Sequence, residues 1–547
     1  MLWLLFPALM AAAEPPQMTR SSEIVDVNVV EVDVVVLDQA GKPVTGLTRE
    51  DFQLVVGKRK REISNFYAID RQSVGATAAG GATAAETAAA TPARRDFVVI
   101  FIDDHRLTQH EKKRALDGLR GFVAQHVRPG TAAMLVSSDS ELRILQRFTE
   151  DASVLTRTID ELEEQPAHGE EYAIQRRQIM RMIEDFRATP DSRGDVAEVA
   201  NQELETFVRR EKLDAERTME ALDHVIHTVS GLDGRRVLVY VSDGLPMQPG
   251  AEIFAWYKPE EFLGTNEPQK QVLAQAQALD AMSVNLNAPL LRLARETAMA
   301  GVQFFAIDAR GVRGFDEETP SSGRQTSTAS TQLDSSLIRS NLKGPIQLLA
   351  DETGGQAIID QNDMNLAFAD LDDHLSTYYS LGFRSDSSGR EDDVQVKVRK
   401  RGLTVRAAKH ARQRSTREQI ADRVRASLYA HIEDNPLQAG VALAPLTGSQ
   451  SGLKATITIP IVKLSIFPGQ QGTDTSVAVF VAMMDANMRE TPVRMFVHRV
   501  KPNGLNESVQ SLTLNVEPGT YTVSLAVVDA YSWQASYVQR EVTIAVR

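Results

Sequence analysis

No cysteine occurs anywhere in the 547 residues. That excludes disulfides, thiolate metal sites and a cysteine nucleophile, and by itself it says nothing about compartment. An excess of basic charge is also missing, since 60 Lys and Arg stand against 73 Asp and Glu for a formal charge of −13. Nucleic acid normally needs a basic surface, so that class of partner is set aside. A local basic cluster, residues 397–401 (KVRKR) with Arg406 and Lys409, alternates as the solvated face of a strand would. Long apolar runs are scarce too. Residues 1–13 (MLWLLFPALMAAA) end in small residues before Glu14-Pro15-Pro16. They are similar to the core and cleavage region of an export signal, and too short to span a bilayer as a helix. No later stretch is long and apolar enough to span one, so a secreted or periplasmic (cell envelope) location is expected.

Familiar catalytic frames are absent as well. His110, His224, His227 and His374 form no His-Glu-x-x-His pairing. Ser242 sits in Val-Ser-Asp-Gly without the Gly-x-Ser-x-Gly frame of a nucleophile elbow. Gly354-Gly355 reads as a helix C-cap rather than a phosphate loop. Asp372 and Asp373 are adjacent and point apart on a helix, which does not suit a glycosidase pair. The expectation is a protein that is not an enzyme.

What is present is an ordinary globular composition, 42% hydrophobic and 24% charged, in a chain long enough for several domains. The most informative stretch is residues 96–108 (DFVVIFIDDHRLT). Its apolar run at 97–102 suits a strand covered on both faces, and it empties into Asp103 and Asp104. A second buried strand, 237–241, ends in Ser242-Asp243-Gly244. Open α/β sheets place ligands at the carboxyl ends of their strands, so the two ends define a shared rim. The competing reading is that Asp103 and Asp243 merely cap the turns or helices that follow.

Around this stretch the chain divides readily. Residues 22–71 alternate small apolar and polar positions, for example 25–37 (VDVNVVEVDVVVL), as a small antiparallel β unit. So few strands need support, and residues 377–410 supply candidates to pair with them. Residues 72–95 are an Ala/Gly/Thr-rich linker. Residues 96–376 alternate strands and helices, with an edge hairpin at 131–148 and helical insertions at about 170–230 and 250–300. The charge of the first insertion reads as a solvated face. Residues 316–340, rich in Ser, Thr and Gln, read as a loop. A helical connector at 411–440 leads to 441–547, whose short strands and regular turns predict a β-sandwich.

The order strand, helix, hairpin, helix, strand, helix, strand resembles a von Willebrand factor type A domain. More specifically, residues 33–52 (DVVVLDQAGKPVTGLTREDF), 97–108, 239–244 (VYVSDG), 349–356 (LADETGGQ) and 378–383 (YYSLGF) resemble bacterial exported proteins with a von Willebrand factor A-related domain. The resemblance covers roughly residues 22–410. It implies a Rossmann-like doubly wound fold, an α/β class flanked by the β units. It also implies a metal-ion-dependent adhesion site, in which Asp-x-Ser-x-Ser, a loop Thr and a late Asp hold Mg²⁺ or another divalent cation. On this chain the two acids fall on Asp103 and Asp243, while the serine positions fall on His105 and Leu107. Leu107 cannot ligate, and imidazole is a poor substitute for a hydroxyl around Mg²⁺. Asp104, Thr108 and Ser242 are the weaker candidates to compensate. The composite expectation is an exported, adhesion- or scaffold-like protein with a degenerate site and a protein partner. The alternatives are a hydrolase sited in the helical insertions and an architectural envelope component without metal.

Overall fold

The computed structural model describes residues 29–70, 95–139, 141–188, 193–251, 253, 283–312, 328–384, 389–432, 434–446, 452–469, 472–500 and 506–545. The export-signal reading at 1–13, nearly all of the 72–95 linker and much of the second helical excursion lie outside the described residues.

The first strands are β1 (Val29–Leu37), β2 (Phe52–Val56), β3 (Arg59–Arg61) and β4 (Asn65–Asp70). A parallel domain follows. It contains β5 (Asp96–Ile102), α1 (Gln109–His126), β6 (Thr131–Ser138), β7 (Leu142–Thr149) and α2 (Ala152–Glu163). Next come α3 (Gly169–Ala188), α4 (Arg193–Val229), β8 (Arg235–Ser242), α5 (Asn287–Met299) and β9 (Val302–Asp308). The domain closes with α6 (Thr328–Thr353), β10 (Ala357–Ile358) and α7 (Met364–Ser376).

Its sheet runs β10-β9-β8-β5-β6-β7. All pairs are parallel except β6–β7, which is an antiparallel hairpin at the edge. The period of two along β5 explains the layering. Phe97, Val99 and Phe101 enter one buried cluster with Leu222 and Ile226 of α4 and Leu290 of α5. Val98, Ile100 and Ile102 enter the other, with Leu116 and Leu119 of α1, Ile159 of α2 and Leu371 of α7. Burying each such large apolar side chain is worth about 1.5–3 kcal/mol, which is why the central strands carry no polar face.

Residues 328–340 depart from the loop reading and belong to α6. Leu333, Leu337 and Ile338 recur there at helical spacing, and that period outweighs a Ser/Thr-rich composition.

The chain then returns to the first unit through β11 (Thr377–Arg384), β12 (Glu391–Val398), β13 (Thr404–Ala407) and β14 (His410–Arg412). β1 lies antiparallel between β11 and β13, β4 pairs with β11, and β2 pairs with β12. Asp70, the last residue of β4, faces Thr377, the first of β11. Val34, Leu54, Tyr379, Leu381 and Val396 form the shared core of this unit. Buried Arg235 ties it to the parallel domain, lying 4.0 Å over the Tyr378 ring and donating to Gln303 Oε1 (2.8 Å) and the Leu375 carbonyl (2.6 Å).

Helix α8 (Thr416–Ala426) starts on a capping box between Ser415 and Glu418. Beyond it are β15 (Gly440–Pro445), β16 (Leu453–Pro460), β17 (Phe467–Gly469) and β18 (Gly472–Asp485). The last strands are β19 (Arg494–Val500), β20 (Glu507–Leu514), β21 (Gly519–Asp529) and β22 (Ala535–Ile544). One sheet is β15-β16-β20; the other is β17-β18-β21-β22, with β19 also on β18. Ile457, Val479 and Leu525 from both sheets share a core. Ile420 and Val424 of α8 bridge Phe480 and Ala526 to the cluster on the parallel sheet, so these strands pack against that domain. Among the described residues no helix is long and apolar enough to cross a membrane.

Candidate functional site

β5 and β8 are parallel neighbours with Ile102 opposite Val241, so Asp103 and Asp243 leave the sheet at one edge. The Asp103 N–H donates to the Val241 carbonyl at 3.0 Å, continuing the ladder by one step. Asp103 is fully buried. Its Oδ2 accepts from the Tyr240 hydroxyl and from Ser242 Oγ (3.0 Å), whereas its Oδ1 is buried without a hydrogen-bond donor. Burial pushes the Asp103 carboxyl up to about 6, against the opposing pull of the Tyr240 bond and of Arg106 and His105.

Asp243 is held differently. Arg106 Nε donates to its Oδ1 at 2.9 Å, and Arg106 Nη1 donates to Glu211 Oε1 at 3.2 Å. The guanidinium carbon lies 4.8 Å from the centre of the Tyr172 ring, and Nη2 is buried without an acceptor. Burial alone would weaken the charge on Arg106, but Asp243, Tyr172 and Glu211 outweigh it and hold the pKa well above its usual value. The guanidinium is therefore a permanent buried cation, as its chemistry favours.

Glu211 and Asp214 belong to α4 and Tyr172 to α3, so the helical insertion folds back over the strand ends. Tyr172 donates to Glu211 Oε1 (2.6 Å), and the Gly250 N–H donates to Glu211 Oε2 (2.6 Å). His105 Nε2 lies 3.0 Å from Asp214 Oδ2, and that bond raises the His105 pKa. Gly169 N–H donates to the Leu107 carbonyl, and a Cβ at Gly169 would come 2.5 Å from the Arg106 carbonyl oxygen. Only glycine permits that approach. The solvated-face reading of this insertion fails at Glu211, which is 3% exposed. Charge on a helix cannot reveal from sequence that one acid has a distant buried cation.

The strand order given above, with a lone antiparallel edge strand and acids at the ends of β5 and β8, decides the fold. The parallel domain is a doubly wound α/β fold, with helices packed on both faces of its sheet. No protein-family model matches the chain, and comparison with curated proteins returns no match. Among solved structures it is similar to an aerotolerance-related membrane protein from Bacteroides fragilis (10% identity, 51% of this chain and 98% of the other, TM-score 0.24). It is also similar to the type V pili tip protein Mfa5 from Porphyromonas gingivalis (11% identity, 95% and 77%, TM-score 0.27). A third is the ArnB paralog VWA2 from Sulfolobus acidocaldarius (8% identity, 94% and 75%, TM-score 0.20).

The weaker candidates are also engaged. Asp104 and Lys112 are both fully buried and lie 2.9 Å apart as an ion pair, and Lys112 Nζ also donates to the Gln165 carbonyl at 3.0 Å. Thr108 caps α1 in a reciprocal capping box with Glu111. Ser242, 1% exposed, donates to Asp103. Leu107 is buried in the core beneath α1. A divalent ion such as Mg²⁺ demands near-octahedral oxygen geometry. Here Asp243 is taken by Arg106, Asp104 by Lys112 and His105 by Asp214. Among the described residues no group of three or more His, Asp or Glu is disposed to hold a metal ion. As arranged, the side chains do not fit Mg²⁺.

Sequence reasoning gave no role to Arg106, to Lys112 or to the acid at the end of β9. Asp308 there is buried and pairs with Lys343 Nζ (2.7 Å), which also holds Asp360 Oδ1 (2.6 Å). The available signal was modest: Arg106 stands two residues after Asp104, and Lys112 lies in the first turn of the helix that follows.

Proposed function

We propose that this chain is an exported, non-enzymatic interaction protein. Its type A-related domain carries a degenerate metal-ion-dependent adhesion site and presents that rim, with the helices over it, to a protein partner. The N-terminal β unit and a C-terminal β-sandwich act as spacers or further contact surfaces. One observation carries the reading: Asp243 at the end of β8 and Asp104 after β5 are tied to the chain's own cations, while Asp103 between them is held by two hydroxyls. Fixed charges in this form suit recognition better than turnover. Ser242, the hydroxyl closest to a catalytic pattern, is 1% exposed, which keeps a substrate away from its Oγ. Exposed Ile174 on α3 and Leu213 on α4 give the helices above the rim apolar contact surface. Export rests on residues 1–13.

The test is a pull-down from envelope extract with the wild type and with Asp103→Ala/Asp243→Ala. The proposal expects a protein recovered by the former and lost with the latter. Identical recovery by both, or no protein at all, sinks it.

A further inference from the structure

We infer that Arg106 is a tethered cation standing in place of the divalent ion at this rim, and that it docks the chain's own α3–α4 hairpin there. The inference rests on the degenerate-site reading above and adds what fills the site. Buried carboxylates require a counter-charge, and an exchangeable metal ion is one way to provide it. At this rim the counter-charge is attached to the loop after β5. The guanidinium fork reaches Asp243 at the end of β8 with Nε and Glu211 on α4 with Nη1, and the Tyr172 ring of α3 lies against it. Two strand ends and two helices therefore meet on one side chain, with geometry that a planar fork suits and a spherical ion does not. Glu211 comes from within the chain, so the acid held by the cation is built in.

The same solution recurs along the rim. Lys112 neutralises Asp104 beside β5, and Lys343 neutralises Asp308 at the end of β9. Cations installed at folding cannot be removed by a chelator. Nor can they be exchanged for solvent ions, and the hairpin they hold stays docked without metal.

Hydrogen exchange on the purified full-length chain tests this directly, comparing α3 and α4 in EDTA and in millimolar Mn²⁺. Wild-type exchange should be the same in both. Arg106→Met, which keeps length and removes charge, should speed exchange of α3 and α4 by at least about tenfold, while β16–β22 keep their protection and report that the chain is folded. Glu211→Gln removes the hairpin's half of the pair, leaves Arg106 on Asp243, and should loosen the same helices in a chain less prone to misfold. Slower exchange of the wild-type hairpin in Mn²⁺ than in EDTA would overturn the inference. So would unchanged hairpin exchange in both variants. The two proposals fail separately: a partner captured only with metal present sinks the tethered cation and spares the interaction reading. A hairpin loosened by Arg106→Met in a chain that recovers no partner does the reverse.

Discussion

Replacing Asp103 with Asn should erase a specific slice of the pH dependence of this fold. The buried carboxyl sits at about 6 against an ordinary value of 3.8. That difference corresponds to roughly 3 kcal/mol of stability forgone once the group is ionised. The sign follows from the proton preferring the folded state: the stabilisation is complete below the unfolded value and is lost as pH rises through about 6. Between about pH 5 and pH 7.5 the wild type should therefore lose about 1.4 kcal/mol from this group alone. Asn can still accept from Tyr240 and Ser242 but never ionises. It also places an amide N–H where Oδ1 has no donor, a cost that barely changes over this pH range. Hence the change between the two pH values, not the stability at either one, isolates the effect. The assay is hydrogen exchange of the slowest amides in β5 and β8, corrected for intrinsic rates, since these open only when the parallel sheet does. Equal pH slopes for wild type and Asp103→Asn would refute the claim that burial of this carboxylate costs stability near neutrality.

Lys112→Met should lower the midpoint of thermal unfolding by leaving buried Asp104 with only the His168 imidazole, 3.5 Å away, beside it, at a cost of about 3–5 kcal/mol. Adding Asp104→Asn should return a large part of it, and a double variant no better than the single one would contradict the pairing. Gly355→Ala would drive a Cβ to 2.0 Å from the Phe304 carbonyl oxygen on β9. A destabilisation of roughly 3 kcal/mol or more is expected by thermal unfolding, among the larger single-residue effects. Arg235→Lys loses the stacked guanidinium over Tyr378 and the fork that serves both Gln303 and the Leu375 carbonyl. A loss of about 2 kcal/mol is expected, seen as faster exchange in β11.

The layered α/β core was readable because its pattern is one-dimensional. A run such as residues 97–102, apolar at every position, has to be covered on both sides, and Phe101 and Ile102 point into different clusters. The hairpin after α1 could be read from its turn, Ser138-Asp139-Ser140. That Asp103 and Asp243 leave the sheet together follows from two strands of similar length ending in acid. Their partners could not be read in the same way. Arg106 meets Glu211 across a separation that no local period encodes, and an acid on a long charged helix looks the same whether it faces water or a guanidinium. Composition misled at residues 328–340, where Ser and Thr hid a helical spacing of leucines.

The pairing of Asp70 with Thr377 makes the first β unit, in effect, a hairpin whose turn is an entire domain. Entry and exit lie side by side, so the larger module is grafted as a cassette onto a scaffold that already closes around its own core. Splicing a short Asn-Gly turn between those two positions would close the hairpin but uncover Tyr378, which Arg235 of the parallel domain covers. The same seam would let a chain of this kind exchange its central module by recombination without disturbing the sheet on either side.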